Sequence, residues 1–521
     1  MIDLMKIEEP TAAERRLFDV QNFGQRISLG DGELPKSPTP DCEVRATTLM
    51  KILRNPKLVE FVQSGGLRVK GAFISGTLDM QGGDLPFDLS FSNCFFERDI
   101  SFVNARLRGV YFSGCRLIGL AADQAHFEGP LFVRGHTVFH GELALPSATI
   151  LGDLQICNVR FDGDMPASIF ANGLTVQGSV FLGDFPYAAA DGNLIASAPI
   201  YMMSARIGRD FYLKNASLRA HGDLQKNYQP EDSDQSVSSA FSLARSAIGG
   251  LLYAKSLQVS GGIVNFSGVT AKRLNDEPNA EDATYRLRLD GFEYQSFAQH
   301  TDVSVKARLA WLARRPSDIG FSAQPYAHLA RLYDELGHRD DADRVRIAKE
   351  DLQRSDDIQI LLQRGAWGRA ALLRVLQVTL KWLIGYGYRP VYAFAWMIAL
   401  IVITGLFFQK TWDVGDMTPN SAPILVSNGW AEALAADAQH PGRHWSDINR
   451  PGQDYETFNA FAYSADLLIP IVNFGQEDAW APSTNRSWWG KQGWWIRWVA
   501  KSIGWVFTAL GAAGISGVIR R

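Results

Sequence analysis

The side chains best suited to chemistry in this 521-residue sequence lie in an apolar stretch near its C-terminal end. Residues 458–477 read FNAFAYSADLLIPIVNFGQE and contain carboxylates only at Asp466 and Glu477. An acidic residue within an apolar segment is costly in lipid and usually faces protein, water or an ion path. A glycine in the loop that follows would let backbone carbonyls turn towards an ion. The predicted ion-path residues are Asp466, Asn473, Phe474, Gly475 and Glu477.

Two uncharged apolar runs flank this stretch, at residues 391–409 and 502–519. Nineteen helical residues rise by ~1.5 Å each and cover about 28 Å, close to the hydrocarbon thickness of a bilayer. Trp494, Trp495 and Trp498 precede the second run, and tryptophan concentrates at membrane–water interfaces. The sequence predicts two membrane spans, and a buried helix of a soluble domain is the alternative.

Charges near the two runs predict their orientation. Basic residues precede the first run and Arg520 and Arg521 end the chain, whereas residues 411–490 hold ten acidic and three basic residues. Cytoplasmic loops carry the excess of lysine and arginine. We therefore expect both termini in the cytoplasm and residues 410–501 outside, with 458–475 as a re-entrant segment.

The order of span, short re-entrant helix, glycine loop and span resembles that of the two-span pore-loop channels. By that resemblance, Asn473-Phe474-Gly475 stands where a potassium filter has Gly-Tyr-Gly. Residues 469–472 (IPIV) replace the threonine-rich run of that family and Asn473 replaces a glycine, so the resemblance extends to the architecture and not to potassium selectivity. A surface-lying amphipathic segment with Asp466 in the headgroup layer is the alternative.

The second run carries small residues at helical spacing, a pattern that lets membrane helices pack closely. The residues predicted to pack are Ala509, Ala513 and Gly517. They would serve contacts with the first span or between subunits. Because two spans alone make no pore, a channel requires a homo-oligomer.

The residues before the first run predict a basic amphipathic helix, with Leu372, Leu376 and Leu383 on one face and Arg374 and Lys381 on another. Such a helix, joined to a span, can lie in the membrane interface. Packing on the cytoplasmic domain is the alternative, and the sequence does not separate the two.

Apolar residues recur every five positions in the first half of the chain. The series is Phe102, Leu107, Phe112, Leu117, Ala122, Phe127 and Phe132. A second unit of alternating apolar residues around a glycine returns at residues 72–80 and 148–156. The five-residue series resembles the pentapeptide-repeat family, in which four repeats make one coil of a right-handed β-helix. Stacked coils would bury an inner column that no single repeat could bury.

The predicted fold class is mainly β: a right-handed β-helix or solenoid, followed by a helical linker and a two-helix transmembrane domain. A solenoid presents flat faces, which bind macromolecules, rather than a deep pocket. The predicted domains are an N-terminal helical cap at 1–60, the β-solenoid at 61–295, the helical linker at 296–389 and the membrane domain at 390–521.

Composition excludes several classes of protein. A net charge of −3, from 52 Lys+Arg and 55 Asp+Glu, argues against nucleic acid as a partner. Four cysteines in a chain of this length exclude a disulfide scaffold. His136 and His140 lie in repeat sequence, and His440, His444 and Asp447 in a Pro/Gly loop. We predict neither set as a metal site, and the sequence predicts no catalytic residue and no cofactor.

Several segments together resemble a bacterial family of repeat-bearing membrane proteins whose members are often labelled membrane-associated oxidoreductases. The matching segments are Cys42–Ala46, Gln324–Tyr326, Gly337-His338, Gly385–Pro390 and Gly504-Trp505. The resemblance implies the bacterial inner membrane. It gives no support to redox chemistry, because Gly385–Pro390 (GYGYRP) is not a dinucleotide-binding G-x-G-x-x-G and the sequence contains no C-x-x-C.

Three functions follow as predictions. The first is a non-enzymatic scaffold or sensor at the cytoplasmic face of the inner membrane, which binds a protein partner through its solenoid faces. The second is an oligomeric pore-loop channel or membrane effector gated by the solenoid. The third, a membrane-associated enzyme, has no residues in the sequence to support it. The expected partners are the lipid bilayer, a protein and further copies of the chain.

Overall fold

A computed structural model describes residues 9–17, 19, 25–54, 66–185, 192–220, 239–279, 285–316 and 320–515. The chain forms two compact units, unit 1 (Met1–Val345) and unit 2 (Arg346–Arg521). Each unit is described by itself. The finer domain boundaries predicted at residues 60, 295 and 389 stay predictions.

Parallel strands dominate unit 1, in one sheet of 24 strands and a second sheet of nine. In the large sheet Val110 pairs with Leu131, and Leu131 pairs with Leu154. One column of successive strands is Leu67–Lys70, Leu89–Ser92, Val110–Ser113, Leu131–Arg134, Leu154–Cys157 and Val180–Gly183. The second sheet consists of Leu78–Asp79, Ile100–Ser101, Leu120–Ala121, Leu143–Ala144, Ile169–Phe170, Ile200–Tyr201, Ser239–Ser242, Ile263–Asn265 and Arg286–Arg288.

The five-residue series marks buried side chains as far as Phe127 and fails at Phe132. Phe127 is fully buried, and so are the earlier members of the series. In the strand Leu131–Arg134, however, Leu131 and Val133 are buried. Successive residues of a strand point to opposite faces, so Phe132 points outward. There its ring contacts the guanidinium of Arg134, 4.2 Å from the ring centroid.

The prediction of a mainly β fold with a closed solenoid is wrong. The described residues form a mixed α/β fold, about 35% helix and 27% strand, with a large parallel sheet and 13 helices. Most strands have only two to four residues, as Arg106–Leu107 does, so the repeats add little to the strand content. Hydrophobic periodicity reports which side chains are buried, but it fixes neither the pairing of strands nor the closure of a sheet.

Helices cover the last strand of the large sheet, Glu293–Phe297. On the helix Gln324–Glu335, the His328 ring nitrogen Nε2 lies 3.1 Å from the backbone nitrogen of Tyr294, which donates to it. The Gln324 side chain bonds the turn before the strand. An unpaired strand edge is a site of aggregation, so this part of the family-like Gln-Pro-Tyr segment has a structural role.

A buried ion pair joins the helix Val305–Leu312 to the strand Thr270–Asp276 of the large sheet. Arg308 is fully buried and makes two hydrogen bonds, of 2.8 and 3.0 Å, with the carboxylate of Asp276. Its Nε donates to the carbonyl of Asp302 at 2.8 Å, and the guanidinium lies 4.4 Å from the Phe297 ring centroid. The pair satisfies both charges, which is the condition for burying them.

Unit 2 is mainly helical. Three of its helices contact one another: the apolar helix (Val391–Asp413), the short helix (Ala460–Leu468) and the last helix (Trp488–Ile515). The linker helix (Trp367–Ile384) precedes them. The remaining helices are Ala12–Leu17, Ala46–Leu53 and Val305–Leu312 in unit 1, Arg339–Gln363 across the division, and Ala422–Leu425, Asn428–Ala436, Pro441–Trp445 and Gln476–Ala479 in unit 2.

Among the described residues, the apolar helix alone is long and apolar enough to cross a membrane, which points to membrane association. The predicted second span, residues 502–519, begins within the last helix, but residues 516–519 lie outside the described residues. Two crossings and the orientation of the termini therefore stay predictions.

We expect Arg308→Leu to lower the free energy of unfolding by about 3–5 kcal/mol, because it leaves the Asp276 carboxylate buried without its partner. Urea unfolding, followed by the circular dichroism of the sheets, measures the loss. The double variant Arg308→Leu/Asp276→Leu removes both charges and is expected to recover most of the stability. If the double variant is no more stable than Arg308→Leu, the buried pair does not have this role.

Candidate functional site

The short helix docks between the apolar helix and the last helix. A Cβ at Gly405 of the apolar helix would lie 2.5 Å from the Phe461 ring, and one at Gly504 of the last helix 2.4 Å from the Leu468 carbonyl oxygen. No side chain tolerates such distances, so both glycines are needed for this close approach. The Tyr463 ring packs on Phe408, with centroids 4.8 Å apart. These contacts fix where Asp466 and the following loop lie.

Asp466 is nearly buried, and its carboxylate accepts three hydrogen bonds from the backbone of that loop. The N–H groups of Phe474, Gln476 and Glu477 donate to it at 2.5, 2.8 and 3.2 Å. Hydrogen bonds to a charged carboxylate are roughly twice as strong as neutral ones. The carboxylate therefore holds the loop against the short helix, and its lone pairs are engaged with protein.

The loop residues Asn473 and Gly475 make a tight turn of their own. The Asn473 side-chain oxygen accepts from the Gly475 N–H at 2.6 Å, and its amide nitrogen donates to Asp478 at 3.2 Å. Gly475 has φ +80°, a left-handed conformation that favours glycine. Phe474 and Ile471 expose their side chains. The turn thus presents an apolar tip, and the role of these residues in an ion path stays a prediction.

Glu477 is paired with two basic residues of the last helix. Arg497 donates to its Oε1 through Nε at 3.1 Å and Nη2 at 2.8 Å, and Lys501 contacts the same oxygen. Glu477 and Arg497 are largely buried. The single Glu477 carboxylate therefore offsets part of the positive charge of Arg497 and Lys501, which precede the predicted second span.

The residues predicted to pack the second span lie only partly in the described region. Ala509 is exposed on the last helix, the Ala513 side chain is not described, and Gly517 lies outside the described residues. Their packing role stays a prediction. The last helix instead uses Gly504 for its close contact with the short helix.

The candidate histidines lie apart from any ligand set. His136 contacts the Asn158 side chain at 3.2 Å, and His140 lies 2.7 Å from Asp162. His440 lies 3.0 Å from the Asp413 carbonyl oxygen. In the part of the chain that the structure describes, no group of three or more His, Cys, Asp and Glu residues could hold a metal ion.

A polar cluster around Asp351 was not predicted from the sequence. Its carboxylate accepts from Gln377 at 3.0 Å, Lys381 at 2.8 Å and the Tyr386 hydroxyl at 3.1 Å. Burial opposes ionisation of Asp351, but the hydrogen bonds from Lys381 and Gln377 outweigh it and lower its pKa. The buried Gln377, on the otherwise apolar and basic linker helix, was the available signal. Tyr386 belongs to the GYGYRP segment, which therefore has a structural role here.

Exposed apolar surface is concentrated in unit 2. Of the large apolar side chains that are exposed among the described residues, all but Val303 and Leu336 lie between Ile360 and Val506. Water-soluble surfaces rarely expose contiguous apolar patches of this kind, and such patches mark protein or membrane contacts. Among the described residues, the exposed apolar surface that could contact a membrane or a protein therefore lies mainly in unit 2.

We expect Asp466→Asn to destabilise unit 2, because an amide cannot accept all three backbone hydrogen bonds. Lost hydrogen bonds to a charged group cost about 1.5–3 kcal/mol each. Thermal unfolding in detergent, followed by tryptophan fluorescence, would show a lower Tm and faster proteolysis of residues 469–479. Glu432→Gln, which removes an exposed acid, is the matched control. A Tm equal to that of the control would contradict the role of Asp466 in holding the loop against the short helix.

We also expect the stabilising effect of Asp351 to depend on pH. Its pKa in the folded protein is below the ordinary 3.8, so its contribution is present above pH 3.8 and is lost as pH falls through the lowered pKa. The difference in Tm between wild type and Asp351→Asn should be full near pH 6 and shrink below about pH 4. Asp357→Asn, at an exposed site, should show no such difference. A gap that is unchanged by pH would contradict this assignment.

Comparisons with known proteins do not identify the site. No family model matches the chain, and no curated protein or solved structure matches it. The resemblance to the bacterial repeat-bearing membrane proteins, and that to pentapeptide repeats, therefore stay predictions.

Proposed function

We propose that this protein is a membrane-attached, non-enzymatic scaffold or sensor, in which unit 2 sits in a bilayer and unit 1 binds a protein partner from water. One observation supports this most directly. Among the residues that the structure describes, the exposed large apolar side chains lie in unit 2 with two exceptions, whereas the parallel sheets of unit 1 bury theirs. The proposal concerns the bacterial inner membrane, as the family resemblance implies.

The apolar helix is the proposed crossing. Its exposed side chains include Phe394, Ile398 and Leu406 along one face and Tyr392, Trp396 and Ile403 on the adjoining face, so a broad side of the helix would face lipid. The hydrocarbon core provides no hydrogen-bond partners, and a helix satisfies its backbone internally. This supports a membrane span rather than a helix buried in a soluble core.

The last helix is proposed as a second crossing, with both termini in the cytoplasm. The last helix contains three basic residues, Lys491, Arg497 and Lys501, which would oppose insertion because lysine and arginine each cost about 2.5–3.5 kcal/mol at the centre of a span. Arg497 and Lys501 are instead paired with Glu477, which lowers that cost. The acidic excess of residues 411–490 supports the same orientation.

Unit 1 supplies the proposed binding surface. Its short parallel strands place outward side chains in rows, and one row contains Tyr111 in register with Phe132, where the two rings make an edge contact with centroids 5.4 Å apart. Arg134 lies beside them. Aromatic and arginine side chains are the residue types that contribute most at protein interfaces.

An oligomeric pore is the second candidate, and two observations favour it. The short helix packs against both the apolar helix and the last helix. It is about half as long as a membrane span, as a re-entrant helix is. In addition, the buried hydroxyls of Tyr463 and Ser464 have no hydrogen-bond partner among the described residues, which is typical of a site that holds water or an ion. Against it, the Asp466 carboxylate is occupied by the loop backbone.

Membrane attachment is tested by carbonate extraction of cell membranes. Wild type is expected to stay in the membrane pellet. Ile398→Arg/Val402→Arg places two charges on one face of the apolar helix at about 2.5–3.5 kcal/mol each and is expected to lose the attachment. Val303→Arg, at one of the two exposed apolar sites of unit 1, should behave as wild type. Extraction of the wild type by carbonate would refute the proposal.

Ion flux into liposomes separates the two candidates. A scaffold is expected to give no flux above protein-free vesicles. A pore is expected to conduct, and Tyr463→Phe would then change the flux while the protein stays folded. Flux that is present in wild type and altered by Tyr463→Phe would favour the pore over the scaffold.

A further inference from the structure

We propose that the linker helix lies in the membrane interface and binds the headgroups of anionic phospholipids. This inference rests on the proposed function, because it takes unit 2 to be in a bilayer. It goes further by naming the lipid class and the residues that recognise it.

The first observation is the charge around the linker helix. No acidic residue occurs between Asp357 and Asp413. Six basic residues fall in that interval: Arg364, Arg369, Arg374, Lys381, Arg389 and Lys410. Five of the six lie before the apolar helix begins, so one side of the proposed crossing carries a concentration of positive charge with no internal acid in the same stretch.

The second observation is the exposure of the linker helix. Ala370, Gln377 and Ile384 are buried and, at a spacing of seven residues, form one narrow stripe that packs on the rest of unit 2. The opposite side is uncovered and apolar. Its exposed apolar side chains are Trp367, Leu372, Val375, Leu376, Val378 and Trp382.

The basic residues border this apolar surface. Arg369 and Arg374 are both exposed, and on a helix of 3.6 residues per turn they fall on the two sides between the apolar surface and the buried stripe. Long basic side chains in this position keep their stems along apolar surface and their charges in the headgroup layer. The helix therefore matches an interfacial helix rather than one that spans a bilayer.

The position of the C-terminal end of the linker helix also supports contact with lipid headgroups. Leu380 and Leu383 pack on the cluster formed by Ile384, Ala393 and Phe507, which joins the linker helix to the first turn of the apolar helix. Trp396 donates from Nε1 to the Trp382 carbonyl at 3.2 Å. The C-terminal end of the linker helix thus lies level with the start of the proposed crossing, where headgroups are found.

Lys381 has a different role from the other basic residues. Its ammonium lies 2.8 Å from the Asp351 carboxylate, and Gln377 bonds the same residue. These contacts fix the rotation of the linker helix so that the apolar surface faces away from the helix Arg339–Gln363. We therefore assign headgroup recognition to Arg364, Arg369 and Arg374, which have no acidic partner in that stretch of sequence.

The test uses the full chain in vesicles of phosphatidylcholine, alone or mixed with an equal part of phosphatidylglycerol. Single cysteines replace Val375 on the linker helix, Ile398 on the apolar helix and Val303 on unit 1, and each carries the environment-sensitive fluorophore NBD. The four native cysteines are buried, and labelling of wild type gives the background. Quenching by phosphatidylcholine that carries a doxyl group near its headgroup reports contact with the interface.

The label at Val375 is expected to be quenched in the mixed vesicles and much less in phosphatidylcholine alone. Arg364→Gln/Arg369→Gln/Arg374→Gln should reduce this preference by about fivefold for each arginine, and added salt should reduce it as well. Arg106→Gln/Arg116→Gln/Arg160→Gln, which removes three exposed charges of unit 1, is the matched control and should leave the quenching unchanged.

Three results would overturn parts of the scheme, and they are distinguishable. Equal quenching at Val375 in both vesicles would show burial without recognition of anionic headgroups. Lipid-like NBD emission at Ile398 without quenching at Val375 would place the linker helix outside the interface while the proposed crossing stands. Emission from the Ile398 label that is typical of water would refute the proposed function itself.

Discussion

The requirement that a charge in apolar surroundings has a partner shapes both units. In unit 2 the Asp466 carboxylate is matched to three backbone N–H groups, and Glu477 is matched to Arg497 and Lys501. Without these partners, each charge would cost several kcal/mol to bury. In unit 1 the same condition is met by Arg308 with Asp276. Around the short helix of unit 2, these charged groups therefore face inward, while large apolar side chains are exposed on the apolar helix and the last helix.

This arrangement, with paired charges inside and apolar side chains exposed, explains why the sequence was informative about unit 2. The uncharged run at 391–409 was visible without a structure, because length and composition alone identify a helix that can cross a membrane. The acid at 466 was visible as an anomaly. Its partners were not, since backbone N–H groups carry no sequence signal and the loop that supplies them is closed by Gly475. The predicted ion path and the observed hydrogen bonds of Asp466 involve the same loop, and the sequence does not distinguish the two roles.

In unit 1 the sequence was informative about burial and misleading about architecture. The five-residue series marked core side chains up to Phe127, where the structure buries them. It then continued to Phe132, which points outward, because one strand shifted its inward positions to Leu131 and Val133. Fold class depends on which strands pair and on how much of the chain is helical, and neither is encoded in local periodicity.

The contacts of the short helix with Gly405 and Gly504 also determine the order in which its packing can form during biosynthesis. Leu468 rests against Gly504, and Gly504 leaves the ribosome well after Leu468. Until then, the apolar helix is available to pack against the short helix but the last helix is not. The contacts around Tyr463 and Leu468 are therefore incomplete. Such non-local contacts form late. A nascent chain that is stalled between Glu477 and Gly504 would therefore have the Asp466 carboxylate already paired with its loop, while one side of the short helix is still uncovered.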